Sequence, residues 1–275
     1  MNVAGSQTMA EQKIIGVPSS FYCASIGEAL QATGRFDVRL DIPARNAIQL
    51  REREFAAALL NPVDFARDSS EYVLVPDAAI ASAGPAGPVQ LVFRAGARTI
   101  STLAVDVSSS AEIILARIIL AEEFDSAPSI IPVADDLPAM LRKADAALIS
   151  GMRPLDQIPA VLDSINLIEA WYEMTDLPYV YGLWCGRENS LGKADVEAIT
   201  AAHARLAEEQ RVEHGTAGVS EATIFMFQIN DDVELGLRQF LHYAYYHGVL
   251  PDIPEIRYYT FDRQDDESTS GITLN

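Results

Sequence analysis

Short apolar runs alternate with longer stretches of helical period along most of the chain. Residues 13–17, 36–42, 55–60, 72–75, 89–93, 102–107, 129–133, 146–149 and 179–185 read as strands. Residues 36–42 alternate apolar and polar positions, as a strand with one face in the core does. Residues 26–33, 48–54, 63–68, 137–144 and 165–175 carry helical patterning, and an apolar helix runs from the serines at 108–110 to Phe124. Beyond residue 185 the pattern turns almost wholly helical, over 194–212, 221–227 and 232–246. Gly248 then takes the helix-ending role that suits glycine. Glycines and prolines across 84–88 enforce a loop.

Strand–helix alternation of this kind builds parallel sheets. The strands at 89–93 and 179–185 are bordered by abrupt changes of composition, and the block between them holds its own βαβ set. The expected fold class is α/β with two lobes. Residues 13–94 and 186–275 form lobe one, residues 95–185 form lobe two inserted into it, and the two strands cross at the hinge. Open α/β sheets bind ligands beyond the carboxyl ends of their strands. The cleft between the lobes is therefore the expected site.

Charge narrows the partners. Among 275 residues, 39 are acidic and 20 are Lys or Arg, a formal net charge of −19. Such a surface repels nucleic-acid phosphates and anionic membranes, so neither is expected as a partner. Cys23 and Cys185 form no CxxC pair or metal-ligand spacing and fit a reducing compartment. Residues 1–12 contain no signal-peptide core, and every apolar run falls short of a membrane span. A cytoplasmic monomer or homodimer is the expectation. No Walker loop, dinucleotide fingerprint, GxSxG, HExxH or zinc spacing occurs.

The serine run carries the most chemistry. Ser108, Ser109 and Ser110 follow a strand and open a helix, whose first amides lack partners and carry partial positive charge. At the carboxyl end of a strand this is a place for an anionic or polar ligand. The same letters also spell a capping box, Ser109 with Glu112, and Glu112 puts a carboxylate where an anion would sit. Ser19, Ser20 and Tyr22 follow the first strand. There the serines either meet a ligand or cap the next helix, and Tyr22 either offers its hydroxyl or packs. Asn61, before Pro62, either points into the cleft or starts a short helix. Arg94 and Arg153 are the local cations suited to clamp a carboxylate; a surface ion pair is the alternative for each. His203, His214, His242 and His247 lack the i, i+4 spacing of a helical metal site, and Trp171 and Trp184 read as core residues.

Several stretches together carry a resemblance. They are Glu71-Tyr72-Val73-Leu74-Val75-Pro76-Asp77-Ala78-Ala79-Ile80, Gly87-Pro88-Val89, Leu103-Ala104-Val105-Asp106-Val107-Ser108-Ser109, Ala146-Ala147-Leu148-Ile149-Ser150-Gly151, and residues 171–184 from Trp171 to Trp184. The chain resembles the menaquinone-biosynthesis family of the futalosine route, which includes chorismate dehydratase. The likeness covers most of residues 13–259, with 171–184 its most specific part. It implies a type II periplasmic-binding-protein fold used by a cytoplasmic enzyme. An anionic, carboxylate-bearing small molecule would lie between the lobes, and neither metal nor organic cofactor would be needed. Chorismate dehydratase removes water from chorismate and leaves the enolpyruvyl ether on an aromatic ring.

Several cleft positions depart from the family pattern. The first loop, which usually offers an asparagine, is here Ser19-Ser20-Phe21-Tyr22-Cys23. The serine shortly after Gly-x-Val is absent, with Gln90 followed by Leu91. The run Ser-Ser-x-Thr-Ser is here Ser108-Ser109-Ser110-Ala111-Glu112. Ser150-Gly151, followed by Met152-Arg153, replaces Gly-Asp. The activity implied is a hydro-lyase acting on chorismate or a near relative. Such an elimination takes a proton from carbon and protonates the leaving hydroxyl. The substrate's own enolpyruvyl carboxylate can serve as base. Ser20, Tyr22, Asn61, Ser108, Ser109 and Ser110 would orient the ligand. A non-catalytic small-molecule binding protein on the same fold is the alternative that the altered positions also fit.

Overall fold

A computed structural model describes residues 12–84, 89–106, 110–133, 136–150, 162–217 and 225–261. Among these residues the strands form two sheets of five. In the first, β1 (Lys13–Pro18) lies between β2 (Phe36–Asp41) and β3 (Ala57–Leu60), all parallel. In the same sheet β10 (Tyr179–Gly186) runs antiparallel between β3 and β4 (Val73–Ser82). In the second, β6 (Thr102–Val105) lies between β7 (Ser129–Pro132) and β8 (Ala146–Ile149), again parallel. There β5 (Gln90–Phe93) runs antiparallel to β8 and to β9 (Ser164–Asn166).

Helices α1 (Phe21–Ala32), α2 (Pro43–Arg51) and α3 (Pro62–Arg67) follow β1, β2 and β3; α4 (Ser110–Phe124) and α5 (Leu137–Lys143) follow β6 and β7. Helix α6 (Leu167–Thr175) leads from β9 back to β10. Helices α7 (Lys193–Ala217) and α8 (Asp231–Tyr246) pack on β4 and β10 of the first sheet. No helix of the described residues is long and apolar enough to cross a membrane.

The two strands expected at the hinge each settle one sheet over from the ranges 13–94 and 95–185. β5 pairs within the second sheet and β10 within the first. The reason is burial. Every residue of β10 is buried, so the strand needs neighbours on both edges and cover on both faces, which only the gap between β3 and β4 supplies. The chain thus passes between sheets after Ser82 and again through α6.

Other boundaries also shift. α1 begins at Phe21, and α2 at Pro43, whose fixed φ suits a first helical position. Ser164–Asn166 pairs with β5 as a strand, and Asn166 then caps α6 by accepting from the Ile168 and Glu169 amides. The helix expected over 221–227 is not found in its described part. Met226 and Ala81 instead exchange backbone hydrogen bonds at 2.7 and 2.9 Å as an antiparallel bridge.

One apolar cluster runs through both lobes. Its link is α4, which leaves the second sheet and packs against α3, α6 and α8. Trp171 of α6 stands edge-on to Tyr179, Phe240 and Tyr243. Both tryptophans are fully buried core residues, and Gly248 carries a φ of +69° just past α8.

A polar tie closes the far side of lobe one. Buried Asp195, in the first turn of α7, takes Lys13 Nζ at 2.7 Å and Arg35 Nη1 at 2.9 Å, and accepts from the Gly192 amide at 2.9 Å. Both cations are partly exposed, so losing the carboxylate leaves them solvated. Asp195→Ala is therefore expected to cost about 2 kcal/mol, not the larger penalty of a stranded buried charge. Urea unfolding at neutral pH measures it as a lower midpoint with unchanged slope.

Candidate ligand site between the lobes

The carboxyl ends of β1, β3 and β6 each feed a helix start. Ser20 takes an extended N-cap conformation (φ −82°, ψ 151°) before α1, yet its side chain makes no capping bond. Its hydroxyl donates to Cys23 Sγ at 3.3 Å. No acidic residue sits in the first turn of α1. These amides keep their partial positive charge uncompensated, which suits a carboxylate. Ser19 beside them is exposed, and its amide donates to Asp41 O.

Asn61 is a helix cap. Its Oδ1 accepts from the Val63 and Asp64 amides at 3.0 and 2.9 Å, and its Nδ2 donates to Asp64 Oδ2 at 2.7 Å. With both ends of the amide engaged, the turn use holds over a free ligand-facing side chain. Asp64 is itself buried and takes Arg67 Nη1 at 2.9 Å.

From the second lobe, Ser110 begins α4 and is half-buried, and Glu112 lies in the first turn. Ser108, Ser109 and Arg153 lie outside the described residues. Tyr22 lies in α1, and its side chain is likewise outside the description. Ser82, at the end of β4 from which the chain crosses to the second sheet, and the start of β10 are buried. Ser82 Oγ donates to Gly84 O at 3.2 Å and lies 3.2 Å from Tyr181 Oη, so the tyrosine hydroxyl donates to the serine. Tyr179 stands edge-on to Tyr181 at 5.1 Å.

Burial and charge act together on several of these groups. Burial pushes the Cys23 thiol up to about 12, against the pull of Ser20, and Glu112 pushes the same way. Burial raises Tyr179 and Tyr181 as well, and each also feels the Glu112 charge. Burial raises Glu112, against the pull of a hydrogen bond from its own amide, and the Asp64 charge raises it further. The Glu112 charge is thus felt by Cys23, Tyr179 and Tyr181, and α4 packs on α3, the helix that carries Asp64. Sequence reasoning did not single out Ser82, Tyr179 or Tyr181. Their signal was the pair of hydroxyls two residues apart at the start of a strand, which places both on one face.

Arg94 is not in this cleft. It pairs with Asp145, which also accepts from the Ser101 and Thr102 amides and from Thr102 Oγ1. Thr102 opens β6 and Ala146 opens β8, so the pair marks the amino ends of the parallel strands, away from the ligand end. Arg94 is also 47% exposed, so the surface ion pair holds. Among the described residues no group of three or more His, Cys, Asp or Glu is placed to hold a metal ion. His203 is buried and hydrogen-bonded on both ring nitrogens, to Trp184 and Phe227.

A cavity of about 700 Å³ opens at the opposite end of the first sheet, near Ile14, Phe55 and Ala56. Arg187 and Arg257 line it, but both guanidinium groups brace backbone carbonyls, those of Leu50 and Arg51 and those of Ser70 and Tyr72. They serve the fold there.

The menaquinone biosynthesis family model matches residues 15–246. A chorismate dehydratase from Thermus thermophilus is 23% identical over 255 residues, covering 82% of this chain and 93% of that protein. Among solved structures, protein AF1704 from Archaeoglobus fulgidus superposes with a TM-score of 0.64 at 16% identity, covering 88% of this chain and all of its own. The periplasmic aliphatic sulphonate binding protein SsuA from Escherichia coli gives 0.55 at 17% identity, covering 90% and 96%. The two-sheet architecture is thus that of the periplasmic binding proteins.

Proposed function

The chain belongs to the menaquinone biosynthesis family, and we propose that it is a chorismate dehydratase-like carbon–oxygen lyase whose interlobe cleft takes a carboxylate-bearing small molecule. The observation that carries this reading is the start of α1. It stands at the carboxyl end of β1, with no side-chain cap and no acidic residue in its first turn. A helix start left in this state holds a ligand carboxylate without needing a protein cation. The half-buried Ser110 at the start of α4 would supply a polar group from the second lobe.

The test is direct. Purified protein incubated with chorismate is expected to consume it and release a product lighter by one water, with the ultraviolet absorption of an aromatic ring. No such product after long incubation at high protein concentration sinks the lyase reading. The altered first loop and the carboxylate of Glu112 favour a second reading, a binding protein for another small acid. A ligand that is left unaltered but raises Tm by several degrees when present at about 100 times its Kd would establish that one instead.

A further inference from the structure

We propose that the cavity of about 700 Å³ at the amino end of the first sheet is a second ligand site, and that it takes a small zwitterion with an apolar side chain, the chemistry of a free amino acid. Such a site is independent of the lyase reading. Ile14 lies at the start of β1 and Ala56 just before β3, whereas α1 begins beyond the carboxyl end of β1.

Volume and lining both fit a small molecule. The volume falls within the range of ligand pockets. Part of the wall is apolar: Ile14 keeps 36% of its surface exposed there, and Phe55 shares the wall. The rest is charged, with Arg53, Arg187 and Arg257 set against Glu54, Glu71 and Glu188. In a chain of formal net charge −19, this lining sums to zero. A bare carboxylate or a bare ammonium would leave one set of charges unmatched. A molecule that carries both matches the two sets.

The lining is held in place before any ligand arrives. Arg187 Nη1 and Nη2 grip Leu50 O at 2.6 Å and Arg51 O at 2.9 Å. Arg257 Nη2 grips Ser70 O at 2.8 Å and Tyr72 O at 3.1 Å. These bonds fix the two guanidinium planes without exhausting their donors. Nε and Nη1 of Arg257 make no hydrogen bond among the described residues. Arg187 Nε lies 3.7 Å from Glu71 Oε2, so those two charges answer each other. Arg53 and Arg257 then remain against Glu54 and Glu188, and none of the four makes an ion pair among the described residues.

The backbone around the mouth points the same way. Arg53 and Asn189, both on the lining, carry φ of +65° and +113°. Non-glycine residues held in that region collect at ligand sites. The ligand carboxylate meets the free donors of Arg257 and Arg53, a charge-assisted contact. Its ammonium meets Glu54 and Glu188, and its side chain covers Ile14 and Phe55, removing their apolar surface from water. A cavity already shaped spares the ligand the cost of ordering it.

The probe is L-phenylalanine, titrated into the whole chain in a calorimeter beside three truncated relatives. Phenylpropanoate lacks the ammonium, phenethylamine lacks the carboxylate, and glycine lacks the side chain. The amino acid is expected to bind at one site, and each relative at least about tenfold more weakly. It should also raise Tm by several degrees at about 100 times its Kd. Arg53→Gln and Glu188→Gln each remove one free charge, of opposite sign. Neither side chain has a partner to lose, so unliganded Tm should stay within about 1 degree of wild type. Each variant should weaken L-phenylalanine at least about fivefold. Equal affinity for phenylpropanoate or phenethylamine overturns the zwitterion assignment. An absence of binding up to about 10 mM, weaker than almost any functional small-molecule site, overturns the site itself. Binding that both variants leave unchanged does the same, because it places the amino acid elsewhere on the protein. None of these results depends on whether chorismate is consumed.

Discussion

Gly236→Ala is expected to cost at least about 3 kcal/mol of stability. Gly236 lies on the inner face of α8, where the helix meets the segment leading into β10. An alanine methyl there would sit well inside van der Waals contact with the Pro178 carbonyl oxygen and 3.2 Å from its carbon. The obstacle is backbone, held by the proline ring on one side and by fully paired β10 on the other, so no rotamer change relieves it. Alanine gains about 1 kcal/mol over glycine as a helix former. That gain is smaller than the cost of pushing α8 off Tyr179 and Trp171. Urea unfolding of the variant should show a sharply lowered midpoint. Gly84→Ala serves as the control, because an added methyl there meets nothing within 4 Å. Equal midpoints for the two variants would show that α8 moves freely against Pro178.

The two-lobed plan was legible because it rests on periodicity. Runs such as residues 57–60 and 146–149 are apolar at every position, and only strands covered on both faces tolerate that. What periodicity could not assign was pairing. The strand Gln90–Phe93 looks equally at home in either sheet until its partners Ala146–Ile149 are in place. The start of α1 was hidden because Ser19 and Ser20 suit a loop and a cap alike, and Phe225–Phe227 was mistaken for helix because its apolar residues serve a single bridge to Ala81. At the candidate site, residue types were legible and engagement was not. Asn61 spends its whole amide on its own helix, and Arg94 spends its charge on Asp145 at the wrong end of the sheet. Glu112 stood out in the sequence as an objection to an anionic ligand. The burial that raises its carboxyl depends on how α4 packs against α3, α6 and α8, which no local pattern encodes.

The fold should also lose stability in mild acid, and His203 is the reason. Its side chain is 0% exposed. Its Nε2 accepts from Trp184 Nε1 at 2.8 Å, which requires Nδ1 to carry the proton and donate to Phe227 O at 2.7 Å. Both bonds fit the neutral ring alone, since a second proton would face the indole N–H donor to donor. Burial, opposed by the backbone acceptors, lowers this imidazole from 6.5 to about 4. The unfolded chain therefore binds the proton before the folded protein does. Stability is complete above pH 6.5 and falls as pH drops toward 4, by about 3 kcal/mol across that window. Glu112 and Asp64 act with the opposite sign, because their raised folded values let the native state take protons first. Asp145, Asp195 and Glu234 are lowered and lose their contribution only in stronger acid. Urea midpoints for wild type should thus fall between pH 7 and pH 5, and His203→Gln, less stable at pH 7, should show a flatter dependence over the same interval. Parallel curves for the two proteins would mean that the histidine is already protonated in the native state, and that the tie between α7, β10 and the Phe225–Phe227 segment is made some other way.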